Sequence, residues 1–334
     1  MSKYLNIIKH DCGDRFDAGE TAAFSRELEY VHAEVIRAEY PELKFRNVCP
    51  IKSGGIPLGA TSHRWFEIDG FGEAKFLDNL ATEDFPTQEV KGDEQLGKIR
   101  SFGAKYMVTV EELRAAALMK VKPDTEKGLL TRQSMETLLD KTVFGSRTQT
   151  YGGFKGLIHD TMSTAWTGTP GNWFDSVNPA HVNFAPMRII SDIRGMVDEA
   201  FLATKGLFQK FDLFLPPEIG VLLDTPMAVI VNGTAQYLAN DSVASYALRT
   251  IARLRSLSVD NFRLSAAGAT GKHRGLCYPN DPKVFDVFIP LDFEQFAPEF
   301  SAMTFVTHCH GKYAGIRQKH PVAMRRVDLA TAGT

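Results

Sequence analysis

Apolar positions along this 334-residue chain follow two periods that change over in blocks. In the first block Phe24, Leu28, Val31, Val35 and Ile36 form one stripe at helical spacing, opposite Arg26, Glu27, Glu29, Glu34 and Arg37. The pattern predicts a helix from Thr21 that stops at "YPELKF", because Pro41 disfavours a helical Tyr40. Residues 44–97 keep no helical period and are punctuated by Gly and Pro. There "ATSHRWFEID" and "EAKFL" read as strands joined through Gly70 and Gly72. Trp65 and Phe66 are adjacent, so a strand places them on opposite faces, and both faces then need cover. The acidic run "TEDFPTQEVKGDEQ" reads as a solvated loop.

Helical signals return at "TVEELRAAALM", where Thr109 and Glu112 have capping-box spacing. The segment "PDTEKGLLTRQSMETLLDKTVFG" opens on Pro123 and Asp124 and closes at Gly145, which predicts one long helix. Its expected apolar face is Leu130, Met135, Leu138, Leu139 and Val143, with Arg132 and Glu136 paired on the other side. A Gly-rich loop "YGGFKGLIHD" and a turn-rich stretch with Trp166 and Trp173 follow. Further helices are predicted at "APMRIISDIRGMVDEAFLAT" and "VASYALRTIARL", and a buried strand at "FDLFLPP". Alternation then dominates "PKVFDVFIPLDF", "SAMTFVTHCH" and "YAGIRQKHPVAMRRVDL". The order of elements is α+β, with no repeating βαβ unit.

Composition narrows the function classes. The net charge of −2 gives no global attraction for nucleic acid or an anionic membrane. Cys12, Cys49, Cys277 and Cys309 are scattered and read as reduced thiols. The first residues lack a signal-peptide pattern and no apolar run approaches membrane-spanning length, so folding in a cytoplasm is expected. The 23 phenylalanines point to large buried aromatic surfaces.

Catalytic patterns fail on inspection. "GATGKH" has Ala266 where a phosphate loop needs its first Gly, and His273 where it needs a hydroxyl. "YGGFKG" follows a helix rather than a strand, unlike a dinucleotide fingerprint. Asn232-Gly-Thr234 is read as a turn rather than a used sequon. The segment "THCHGKYAGIRQKH" is the best metal candidate. His308 and His310 share one strand face, Cys309 takes the other, and His320 is placed to return from a neighbouring strand beyond a turn near Gly311. A metal-dependent enzyme on these three histidines is one reading; a strand that happens to carry imidazoles is the other. No catalytic, cofactor or metal residue is assigned.

Wording along the chain resembles the major capsid proteins of tailed phages, whose shell fold encapsulins share. The resemblance rests on "ELEYVHAEVIRAEYPELKFRNVCPI", "DGFGEAKFLDNLATEDFP", "YGGFKGLIHD", "FDLFLPPEIGVLL", "VFDVFIPLDFEQFAPEF" and "AGIRQKHPVAMRRVDL", in that order, from about Glu27 to Leu329. It implies an N-terminal arm and helix at 1–49 and an extended hairpin loop at 50–95. A peripheral domain is implied at 96–184 and 300–334 with a spine helix at 123–144, and an axial domain at 185–299. The implied function is a self-assembling icosahedral virion shell around double-stranded DNA, built from pentamers and hexamers in the host bacterial cytoplasm. A separate scaffolding protein, a portal and decoration proteins are the implied partners; no cofactor, enzyme activity or membrane is implied. An encapsulin-like compartment around protein cargo is the alternative within the fold. Subunit contacts are expected from the arm stripe Phe24, Leu28, Val31 and Val35, and from His63, Trp65, Phe66 and Phe71 on the hairpin.

Overall fold

A computed structural model describes residues 43–72, 74, 88–119, 123–170, 173, 185–231, 234–259 and 261–330. The arm helix expected at 21–40, with Phe24, Leu28, Val31 and Val35, lies outside these residues. So does nearly all of the "EAKFL" strand. In chain order, helix α1 (Phe45–Val48) leads to β1 (Ile51–Ser53) and to the strands β2 (Ser62–Phe71) and β3 (Glu89–Lys98). Next come β4 (Arg100–Thr109), α2 (Val110–Met119), α3 (Pro123–Phe144) and the short β5 (Thr164–Ala165). The following stretch holds α4 (Ala185–Ala203), β6 (Phe211–Phe214), α5 (Pro217–Leu223), β7 (Pro226–Val231), β8 (Thr234–Ser242), α6 (Val243–Thr250) and β9 (Leu254–Ser258). The chain ends in β10 (His273–Tyr278), β11 (Phe285–Ile289), β12 (Leu291–Gln295), β13 (Glu299–Ser301), β14 (Thr304–Tyr313), β15 (Gly315–Gln318) and β16 (Arg325–Leu329). The fold is α+β, as expected.

One sheet is built on β14, which pairs antiparallel with β4 from Thr304–Thr109 to Tyr313–Arg100; β12 and β13 share its other edge. A second sheet runs β5–β16–β10–β6–β9 and a third β1–β11–β15, while β2–β3 and β7–β8 are separate hairpins. The main core joins the C-terminal half of α3 to α4, β6, β10 and β11 through Leu139, Val143, Ile193, Leu213, Tyr278 and Phe285. A smaller core of Tyr106, Val108, Met135 and Cys309 seats α3 on the β4–β14 pair. Cys49, Cys277 and Cys309 are free and buried, and burial pushes all three thiols up.

Local sequence rules set the helix ends. The Thr109 hydroxyl accepts from the Glu112 amide at 3.1 Å while the Glu112 carboxylate accepts from the Thr109 amide at 3.0 Å, a complete capping box. At the C-terminal end of α3, Gly145 takes a left-handed φ of 69°. The chain then folds back, so that Leu157 and Ile158 donate to the Val143 and Phe144 carbonyls at 2.8 and 2.9 Å. A Cβ on Gly156 would stand 2.4 Å from the Phe144 carbonyl, so the "GGFKGL" sequence is what permits this close return.

Four expectations are corrected. Residues 89–98 are a strand rather than a solvated loop, because the partner strand β2 dictates pairing that a charged, coreless segment does not advertise. On α3, Leu130 and Leu138 face outward, and the buried stripe runs through Thr131, Met135, Leu139, Thr142 and Val143. Thr131 and Thr142 are buried at little cost because each hydroxyl bonds the carbonyl one turn back, at 2.8 and 2.7 Å. Glu136 binds Arg46 at 2.6 Å rather than Arg132, whose guanidinium lies over the Phe293 ring. Finally, β14 runs straight through Gly311, where a Cβ would meet Phe102 at 2.5 Å, and the return strand β15 pairs with β11, not β14.

Buried charge ties the end of the chain into this body. Arg274 on β10 is almost fully buried and bonds Asp328 at 2.8 Å and Asp160 at 2.8 Å. Arg317 and Lys319 hold Asp286 at 2.5 and 2.9 Å. Burial opposes ionisation of Asp286 and Asp328, yet the bonds from these cations outweigh it and hold both carboxyls below the usual range. Depressed carboxyl values give stability that is complete above the unfolded value near 4 and is lost as pH falls through the folded values. Denaturant midpoints measured against pH should therefore drop below about pH 4, and Asp328→Asn should flatten that acid limb. An unchanged limb would contradict the assignment. Thr109→Ala should cost about 1 kcal/mol in the same assay by removing the cap.

Candidate assembly surfaces

Strands β2 and β3 pair antiparallel in unbroken register from Ser62–Lys98 to Phe71–Glu89. Directly opposed residues share a face, so the register sorts the side chains. One face carries Arg64, Phe66 and Ile68 with Val90, Glu94 and Leu96. Phe66 is 70% exposed, Ile68 73%, Val90 71% and Leu96 62%. Full burial of each such side chain is worth about 1.5–3 kcal/mol, so this bare strip is a large unspent stabilisation. A two-stranded ribbon has no second layer of its own to supply that burial.

Among the described residues, the opposite face is covered at its base. His63 stacks on Trp65 with ring centroids 5.1 Å apart and on Phe288 of β11 at 5.8 Å. Gly97 lies opposite His63, and a Cβ there would stand 2.2 Å from the imidazole. Burial and the nearby Arg317 lower the His63 pKa, so the ring enters this stack neutral near physiological pH. Beneath it Ile99, Phe288 and Ala314 form a small core with Ile56 and Ala60. Further out, the face turns polar at Glu67 and Asp93, and the Trp65 indole donates to Glu67 at 3.1 Å. Phe71 pairs in register with Glu89; its side chain is outside the described residues.

Expectation and structure thus meet at Trp65 and Phe66, which do take opposite faces. Sequence reasoning missed Ile68, Val90 and Leu96. The signal was present in "EVKGDEQLGK", where Val90 and Leu96 stand at even spacing with Glu94 between them, once β2 supplies the register.

The histidine segment divides differently. His308 and His310 project from one face of β14 beside Lys105 and Gly103 of β4, and Cys309 is buried on the other. His310 Nδ1 lies 3.9 Å from a Glu294 carboxylate oxygen. His320 does not join them: it sits beyond β15 against the Phe208 ring, with centroids 5.7 Å apart. Among the described residues no group of three or more His, Cys, Asp or Glu is placed to hold a metal. No described helix is long and apolar enough to cross a membrane.

A profile of the family described as "Major capsid protein" matches residues 72–329, well over half of the chain. The chain belongs to the major capsid protein family. It is a shell-forming structural protein of the virion capsid, and its copies associate into that shell. Solved structures agree on the fold. The capsid of Myoviridae phage XM1 superposes with a TM-score of 0.70 at 14% identity, covering 91% of this chain and 98% of that one. The capsid of an empty GTA particle gives 0.61 at 12%, covering 95% and 100%. Mycobacterium phage Cain gives 0.59 at 11%, covering 96% and 99%. No curated protein matches the sequence.

For the capsid protein, the outer hairpin face should be dispensable within one subunit. Phe66→Ser should move the denaturant midpoint of unassembled subunits by no more than about 0.5 kcal/mol, as for an exposed position. Trp65→Ser, which breaks the stack with His63, should destabilise measurably more. Equal losses would show that Phe66 is packed within its own subunit.

Proposed function

We propose that this capsid protein builds an icosahedral tailed-phage shell around double-stranded DNA, and that each copy lays its β2–β3 hairpin on a neighbour. The observation that carries this reading is the strip Phe66, Ile68, Val90 and Leu96, apolar and uncovered in the isolated subunit. Surfaces of this kind are stable in solution only when a partner covers them, and a closed shell supplies that partner by symmetry. His63, Trp65 and Phe71 then line the underside of the same contact, and the arm stripe Phe24, Leu28, Val31 and Val35 makes a second one.

In this reading residues 1–49 are the arm and 50–95 the extended loop, with its second strand running on to Lys98. Residues 96–184 and 300–334 form the peripheral domain, with α3 as its spine helix, and 185–299 form the axial domain. Pentamers and hexamers assemble in the host bacterial cytoplasm, helped by a separate scaffolding protein, and the finished shell carries a portal and decoration proteins. The protein works by association, not by catalysis. Two of the similar structures are named as phage structures, which supports a nucleic-acid cargo over a protein one.

Electron microscopy of the full chain, alone and with scaffolding protein, tests the proposal. The wild type should give closed shells, and shells from infected cells should hold nuclease-protected double-stranded DNA. The Phe66→Ser/Ile68→Ser variant should stay soluble, folded and unassembled. Shells of normal yield from that variant, or shells that hold protein cargo without DNA, would overturn the reading.

A further inference from the structure

A polar cleft of about 430 Å³ opens where the end of α3 meets the loop before β10. Lys141, Ser146, Arg147 and Thr148 form one wall, and Arg263 and Ser265 stand on the other. Its charges are unevenly answered. Arg263 bonds the buried Asp140 carboxylate through its Nε at 2.7 Å. Lys141 has no carboxylate partner among the described residues; its ammonium sits 4.9 Å over the Tyr151 ring. Among the described residues Arg147 reaches one carboxylate, Asp160 at 3.5 Å, and two more guanidiniums claim it, Arg274 at 2.8 Å and Arg326 at 3.6 Å.

The wider cluster is Lys141, Arg147, Arg263, Arg274 and Arg326 against Asp140, Asp160, Asp328 and Glu218. That is five cations to four carboxylates in a chain whose net charge is −2. Glu218 is held by the Ser265 hydroxyl at 2.7 Å on the wall away from Lys141. Arg326 has its pKa lowered chiefly by burial, with Arg274 and Arg147 adding to the fall against the pull of Asp160 and Asp328.

The geometry points to a binding site for a phosphate oxyanion, held by the Lys141 ammonium and the Arg147 guanidinium with the Ser146 and Thr148 hydroxyls beside them. A guanidinium can meet two phosphate oxygens at once, and an ammonium next to it adds a point charge, so the pair suits a tetrahedral anion better than a single carboxylate. The ligand is either a backbone phosphate of duplex DNA or free inorganic phosphate. Choosing DNA rests on the shell reading above; the cleft's chemistry does not. Contact with backbone phosphate carries no sequence preference and is sensitive to salt.

Unassembled full-length subunits are titrated with a short fluorescent DNA duplex by polarisation, and separately with inorganic phosphate by phosphorus NMR. The variant is Lys141→Gln/Arg147→Gln, with Lys91→Gln on the exposed hairpin as charge control. Lys141→Gln alone, at an exposed position, serves if the double variant melts early. The double variant should bind the duplex at least about tenfold more weakly, and the log–log salt slope should fall by about 2. Duplex binding that resists free phosphate identifies the backbone as the source; phosphate that binds, or displaces duplex, identifies the free ion. If neither probe binds, or if the cleft variants lose no more affinity than Lys91→Gln, the site is overturned. DNA content of assembled shells is measured independently. DNA-filled shells from the double variant would leave the shell reading intact, and empty shells with full subunit binding would sink that reading and not the site.

Discussion

A two-stranded ribbon has two faces and no layer of its own to cover either. In this capsid protein β2 and β3 form such a ribbon, and among the described residues its base is covered, where His63 lies between Trp65 and Phe288. Beyond that stack Phe66, Ile68, Val90 and Leu96 stand bare, and the proposed shell contact is what would cover them. The bare apolar side chains of both strands share one face of the ribbon, unlike scattered exposed leucines. In the proposed shell, association completes the packing that folding began.

The rest of the subunit is arranged to hold that ribbon on a stiff body. The ten-residue ladder between β4 and β14 continues directly from β3 through Ile99, and α3 is seated on it by Tyr106, Val108, Met135 and Cys309. At its far end α3 is gripped by Leu157 and Ile158, which take up its last carbonyls and lead into the main core. Arg274, shared by Asp160 and Asp328, then pins the terminal strand β16 to the loop after α3. Removing one partner of such a buried set leaves an uncompensated charge and is strongly destabilising.

Much of this was legible in the sequence where a local rule decides the outcome. The Thr109–Glu112 box, the Pro123 start and the Gly145 stop each depend on a few neighbouring residues, and each is found as written. The order of the segments carried the shell fold. What escaped depended on partners far away in the chain. β3 has no core face, so its strand character comes only from β2. The buried stripe of α3 includes two threonines that look polar until their hydroxyls are seen to bond the helix itself. Gly311 looked like a turn and is a close contact with Phe102 in mid-strand. The three histidines resembled a metal site because sequence proximity cannot show that β15 leaves β14 to pair with β11.

Amide hydrogen exchange on the β2–β3 hairpin, compared between unassembled subunits and closed shells, tests the central claim most directly. A ribbon that only a neighbour covers should exchange rapidly at residues 62–98 in the free subunit and become strongly protected in the shell, while β4 and β14 stay protected in both. Equal exchange of the hairpin in the two states would mean that the ribbon needs no neighbour, and would contradict the account.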